Sequence, residues 1–275
     1  MTLRWFDLTG RVAVVTGGGA NGGNGHAIAL GLASCGADIV VGDIDFPGAE
    51  LTAREVQEAG RRAIACECDV ARPEQIAAMF AACDREFGHV DILVNNVGIG
   101  CRSRPEELSL ADWRRVLATN LDGTFLCSVE AGRRMIAAGR GGCIINISSI
   151  AGSLALGRGN FVYSVTKGGI NQFTRELAVE WSPHNIRVNA IQPAQIMTPA
   201  VKRMFEDPRL SAERFRARVL EGIPLGRIGD PMDVAKAAVF LASDAASFIT
   251  GHILPVDGGN MALNAGGSRV WPTED

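Results

Sequence analysis

The sequence predicts an α/β fold: a doubly wound parallel sheet of seven strands, flanked by helices on both faces. Three observations predict it. Short apolar, strand-like runs alternate with helical patterns along the chain. Those runs are nearly continuous in apolar residues, as strands buried on both faces must be. The first of them enters a glycine-dense turn that opens directly into a helix. Together they describe a Rossmann-like arrangement in a single domain over residues 1–275, long enough for a sizeable core.

Taken in order, a strand at Val12–Thr16 precedes the glycine turn and a helix at His26–Cys35. Strands at Asp38–Val41 and Ala63–Cys66 lead to helices at Gly48–Ala59 and Pro73–Phe87. A strand at Ile92–Asn95 is followed by a long helix at Ala111–Ala138. A strand at Cys143–Ile147 leads to the helix Phe161–Trp181, and one at Arg187–Ile191 precedes a helix at Met232–Ser243. The last strand is His252–Val256. The charged stretch from Pro199 to Pro224, with Met204, Phe205 and Leu210, breaks the rhythm and reads as a small helical lid. A tail at about 260–275 has little pattern and carries Trp271.

Composition narrows the function classes. The net charge is −3 and no basic block is interleaved with aromatics, so nucleic acid is not an expected partner. No run approaches the ~20 apolar residues of a membrane span, and Met1–Asp7 lacks the apolar core of a signal peptide. The seven cysteines, at 35, 66, 68, 83, 101, 127 and 143, are odd in number and scattered. Cys66-Glu67-Cys68 has no second pair, so no metal site is expected; the thiols read as reduced, in a cytoplasmic protein.

The residues that carry chemistry lie at strand ends. In Thr16–Ile28 a glycine-rich turn opens a helix, letting backbone N–H groups approach a pyrophosphate at the positive helix end. Asp43, after the second strand, is placed to accept hydrogen bonds from an adenosine ribose diol and to repel a 2′-phosphate; the turn offers no Lys or Arg to hold one. NAD is therefore expected over NADP. Asp69-Val70, after the third strand, is placed to hold an adenine amino group. Tyr163, the only tyrosine, and Lys167 share one helix face. An ammonium beside a phenol favours the phenolate; ionising it near neutral pH requires about 4 kcal/mol of differential interaction. A tyrosine so tuned is a general acid–base.

The chain resembles the short-chain dehydrogenase/reductases of the compact, single-domain branch. The matching elements, over roughly residues 8 to 260, are the Thr16–Gly25 turn, Asn95-Asn96-Val97-Gly98, Asn120, Ser148-Ser149, Tyr163-x3-Lys167, Arg187-Val188-Asn189, Pro193 to Thr198-Pro199 and Asp257-Gly258-Gly259. The resemblance implies that Tyr163 is the acid–base, that Lys167 lowers its pKa and holds nicotinamide ribose hydroxyls, and that Ser149 hydrogen-bonds the reacting oxygen. Asn120, within the helix Ala111–Ala138, would anchor a water that relays protons through Lys167. Gly17, Gly23, Asn24, Gly25, Asp43, Ile44, Asp69, Val70 and Asn96 would line the cofactor, with Ile196 and Thr198 at its carboxamide. A homotetramer built on the two long helices and the final strand is also implied, with the Trp271 tail packing on a neighbour.

There are departures from the family pattern. Five residues rather than three separate Gly17 from Gly23, Val97 replaces an alanine, Ala194 replaces a glycine, and Ser149 lies one residue further from Tyr163 than is commonest. The expected reaction is NAD(H)-dependent interconversion of a secondary alcohol and a ketone. Gln195, beside the nicotinamide, with Arg102, Arg104 and Arg158 on bordering loops, points to a small polar alcohol, polyol or sugar derivative. Leu154, Leu156, Phe161, Met197, Met204 and Phe205 offer the competing reading, a 3-oxoacyl thioester or other apolar ketone. A dinucleotide-binding regulator is the non-enzymatic alternative.

Overall fold

The computed structural model describes residues 4–206, 217 and 219–263. Seven strands form one sheet in the order β3-β2-β1-β4-β5-β6-β7, all parallel. They are β1 (Val12–Thr16), β2 (Asp38–Asp43), β3 (Ala63–Glu67), β4 (Ile92–Asn95), β5 (Gly142–Ile147), β6 (Ile186–Pro193) and β7 (Ile253–Val256). All seven expected strands are present, β1 and β4 end to end.

Successive side chains of β1 enter opposite cores. Ala13 and Val15 pack with Ile28 and Leu32 of α1 (Asn24–Ser34), Val56 of α2 (Phe46–Glu58) and Leu241 of α8 (Pro231–Ala242). Val12 and Val14 pack with Phe80 of α3 (Pro73–Phe87), Met135 of α5 (Gly123–Ala138) and Ala178 of α6 (Phe161–Glu180). This double burial explains the continuous apolar runs. At Gly31 of α1 an added Cβ would lie 3.3 Å from the Ala235 Cβ of α8, so the two helices pack backbone to backbone there.

Helix ends follow local capping. α2 begins ahead of the expected Gly48 because the Asp45 carboxylate accepts from the Gly48 N–H at 3.2 Å. α8 opens on a capping box between Asp230 and Asp233. The long helix expected over Ala111–Ala138 is a correction: it is two helices, α4 (Leu110–Leu117) and α5, joined by a π-turn at Ala118–Asp122. The cause is long-range. The buried Asn120 side chain leaves the helix to accept from the Ile99 N–H at 2.8 Å and donate to the Ile99 carbonyl at 2.9 Å and to the Thr166 hydroxyl at 3.0 Å. Of the expected lid, α7 (Pro199–Phe205) is a helix capped by Thr198. Leu210 and Trp271 lie outside the described residues.

Candidate active site

Every expected site segment follows a parallel strand, so all emerge at one edge of the sheet. The order reverses between β1 and β4, which opens a crevice at their carboxyl ends. A buried amide network fixes that edge: Asn95 Nδ2 donates to Asn146 Oδ1 at 2.8 Å and to the Ser128 hydroxyl at 3.0 Å, and Asn146 Nδ2 donates to the Thr174 hydroxyl at 2.9 Å.

Two adjoining clefts hold the expected residues. The larger, about 940 Å³, is lined by Gly17, Gly23, Asn24, Gly25, Asp43, Ile44, Asp69, Val70, Asn96 and Thr198. Arg115 and Arg203 also border it, which sequence reading did not assign. The smaller, about 360 Å³, is lined by Asn24, Asn96, Ser149, Tyr163, Lys167, Gln195, Ile196 and Thr198, with Leu156 and Arg158. Asn120 lines neither; its side chain ties the loop after β4 to α6.

The geometry of the larger cleft fits a dinucleotide. An added Cβ at Gly25 would collide with the Gly17 carbonyl oxygen and lie 2.6 Å from Asn96 Nδ2, so only glycine leaves this cradle open. Gly23, the N-cap of α1, has no side chain to cap the helix, leaving its first amides for a ligand. Asn24 Oδ1 is buried with no partner, an acceptor at the junction of the two clefts. Within the glycine turn the Gly23 N–H donates to the Ala20 carbonyl at 2.7 Å, with Gly22 at φ +73°. Asp43 is oriented by the Gly19 N–H at 2.7 Å and the Asp45 N–H at 2.9 Å.

In the smaller cleft, burial pushes the Tyr163 phenol above its ordinary value, against a side-chain hydrogen bond with Ser149 that lowers it. Burial also pulls the Lys167 ammonium down to about 8. Lys167 Nζ lies 5.5 Å from the Tyr163 ring centroid and donates to the Ile147 carbonyl at 2.7 Å. Burial is the largest influence on Tyr163, and Lys167, whose ammonium donates to the Ile147 carbonyl, is not among the groups that shift it here. The adjacent Ser148 is structural, its hydroxyl donating to the Lys167 carbonyl at 3.1 Å and to Asn171 Oδ1 at 2.7 Å. Gln192, which sequence reading missed, is buried at the end of β6. Its Nε2 donates at 2.9 Å to both the Ser149 carbonyl and the Ser153 hydroxyl. Nothing local marks it, because the partners lie some forty residues away.

A third cleft of about 400 Å³ opens from Tyr163 toward α7, lined by Arg102, Leu156, Arg158, Gln195, Met204 and Phe205 among others. Arg104 borders none of these three clefts, and Leu154 and Phe161 line a neighbouring groove instead. Met197 borders none of these spaces. Among the described residues no cluster of His, Cys, Asp or Glu could hold a metal ion, and no helix is long and apolar enough to cross a membrane.

A dinucleotide cradle at the switch point, continuous with a cleft holding a tyrosine, a lysine and a serine, defines a nicotinamide-dependent oxidoreductase. Comparisons agree. A family profile described as Enoyl-(Acyl carrier protein) reductase matches residues 18–260. Cis-4-hydroxycyclohexanecarboxylate dehydrogenase of Sinomonas cyclohexanicum is 44% identical over 92% of this chain and 97% of that protein. 2-Dehydro-3-deoxy-D-gluconate 5-dehydrogenase of Escherichia coli is 40% identical over 95% and 100%. Among solved structures, a 7α-hydroxysteroid dehydrogenase complexed with NADH superposes with a TM-score of 0.86 at 36% identity, covering 93% of this chain and 96% of that one. A gluconate 5-dehydrogenase from Burkholderia cenocepacia, in complex with NADP and tartrate, superposes with a TM-score of 0.86 at 34% identity, covering 96% and 100%. The chain belongs to the short-chain dehydrogenase/reductase family. It is an enzyme acting on CH–OH groups with a nicotinamide cofactor.

Proposed function

We propose that the protein interconverts a polar secondary alcohol and its ketone with NAD rather than NADP. The observation that carries the reading is the convergence of Ser149, Tyr163 and Lys167 in one cleft contiguous with the dinucleotide cradle. When bound, the cofactor supplies a hydride acceptor or donor. The chain does the rest. Tyr163, once ionised to its phenolate, takes the alcohol proton and becomes the phenol, and the Ser149 hydroxyl holds the substrate oxygen as negative charge grows on it. Lys167, buried with its ammonium on the Ile147 carbonyl, would hold ribose hydroxyls and raise the local positive potential. Asn120 anchors the loop beside Lys167. Ile196 and Thr198 would seat the carboxamide, while Asp43 would hold the adenosine ribose and disfavour a 2′-phosphate.

Polar substrates are supported by Gln195 and Arg158 at the mouth, and by relatives named for hydroxy acids and sugar acids. The same reading makes the chain one catalytic domain, with α7 contributing to a lid over the cleft, in a cytoplasmic homotetramer. Exposed Phe125 on α5, with Val165 and Val179 on α6, supplies apolar surface for such an assembly. Initial rates of NADH formation across a panel of secondary alcohols, with NAD and NADP in parallel, test the proposal. Absence of turnover on every polar alcohol would overturn it.

A further inference from the structure

Asn24 opens α1 between the cradle glycines Gly23 and Gly25, and it borders both the larger cleft and the smaller, catalytic one. Its side-chain oxygen is buried and meets no donor. A buried acceptor without a partner is uncommon and destabilising, because it has left water and gained nothing in return. The neighbouring donors are committed elsewhere. Asn96, which also lines both clefts, gives its Nδ2 hydrogens to the Thr16 carbonyl at 3.1 Å and the Gly17 carbonyl at 2.9 Å. Lys167, in the smaller cleft, is turned to the Ile147 carbonyl. The fold therefore carries an acceptor at the cofactor cradle that the chain itself leaves unpaired.

The two clefts differ in what they would receive. Asp43 and Asp69 line only the larger, on the side of the adenosine half, whereas Ser149, Tyr163, Lys167 and Ile196 line only the smaller, where the hydride moves. A diphosphate between those halves offers acceptor oxygens alone and cannot satisfy an amide oxygen, which is itself only an acceptor. The nicotinamide half offers donors, the amino group of its carboxamide and the hydroxyls of its ribose. Because the Asn24 oxygen has no partner where it stands, it gives up no hydrogen bond by turning toward them. Resting on the proposed reading of the site as one for NAD, we infer that the Asn24 side-chain oxygen accepts a hydrogen bond from the nicotinamide half of the cofactor. Asn24 is thus a positioning residue for the ring that exchanges hydride beside Tyr163.

Calorimetric titration with NADH and with ADP, which lacks the nicotinamide half, reads this contact without turnover. Asn24→Leu, close to asparagine in size, should weaken NADH binding about tenfold, the factor for one lost hydrogen bond of ordinary strength, and leave ADP binding nearly unchanged. Asn24→Ala, which cannot overfill the site, should do the same. Because the NADH-to-ADP ratio is read within each variant, partial misfolding does not change it. ADP-ribose identifies the donor: a loss shared with ADP-ribose places it on the ribose, and a loss confined to NADH places it on the carboxamide. Thermal unfolding gives a second readout. The cofactor-free Asn24→Leu chain should melt no lower than the wild type, since it sheds an unpaired acceptor, while its rise in Tm with NADH should be smaller. An unchanged ratio, whether through no loss or through an equal loss for ADP, or a lower Tm in the cofactor-free variant would overturn the inference. NADPH and 2′,5′-ADP, titrated in parallel, separate it from the choice of cofactor. A wild type selective for NADPH would refute the NAD reading, and the NADPH-to-2′,5′-ADP ratio would then decide the role of Asn24 by the same criterion.

Discussion

Lys167 lies within 5.5 Å of the Tyr163 ring centroid, yet its ammonium donates to the Ile147 carbonyl at 2.7 Å and not toward the phenol. Burial consequently dominates the shift of the tyrosine, and on the proposed reading the oxidised nicotinamide ring of a bound cofactor would lower it. The single tyrosine of the chain makes this measurable. Tyrosinate absorbance should report ionisation above the ordinary value near 10 in the cofactor-free protein, and a lower midpoint once NAD is bound. An unchanged midpoint would contradict this coupling.

Tyr163→Phe should retain the fold and NADH binding while lowering kcat by at least ~10², the lower end of general acid–base contributions. Alcohol oxidation by the wild type should rise with pH, since the phenol must lose its proton to act as base. Stopped and continuous assays of NADH formation check both. Turnover near the wild-type rate in the variant would remove Tyr163 from the mechanism.

The proposed preference for NAD rests on Asp43, held in place by the Gly19 and Asp45 amides at 2.7 and 2.9 Å. The wild type should favour NAD over NADP in kcat/KM, and Asp43→Ala should narrow the gap. A preference for NADP in the wild type would show that Arg115 or Arg203, at the border of that cleft, outweighs the carboxylate.

Gln192→Leu removes both donors that hold the Ser149 carbonyl and the Ser153 hydroxyl. We expect kcat to fall at least tenfold with KM for NAD little changed, since Gln192 acts through Ser149 and touches no part of the cofactor cleft. Asn120→Ala should instead cost stability, about 1–3 kcal/mol, because it strips partners from the buried Ile99 backbone. Calorimetric unfolding separates the two: a lower Tm with Asn120→Ala, and a nearly normal one with Gln192→Leu.

For assembly, light scattering at micromolar concentration should give the mass of four chains, and Phe125→Glu or Val179→Glu should reduce it. A monomer in the wild type would leave those exposed apolar residues without the proposed role.

The sequence by itself determined the seven strands, their shared parallel direction and the common helix face of Tyr163 and Lys167. It did so because apolar runs, helical spacing and glycine turns are local patterns, set by the backbone within a few residues. Only the tertiary structure decided the break in the long helix at Asn120, the hydrogen bond that turns Lys167 toward Ile147, and the role of Gln192. Each depends on a partner far along the chain: Asn120 on Ile99 and Thr166, Lys167 on Ile147, Gln192 on Ser149. Such pairings arise only when parallel strands bring their carboxyl ends to one edge, a geometry fixed by sheet register and helix packing and carried by no short stretch of sequence.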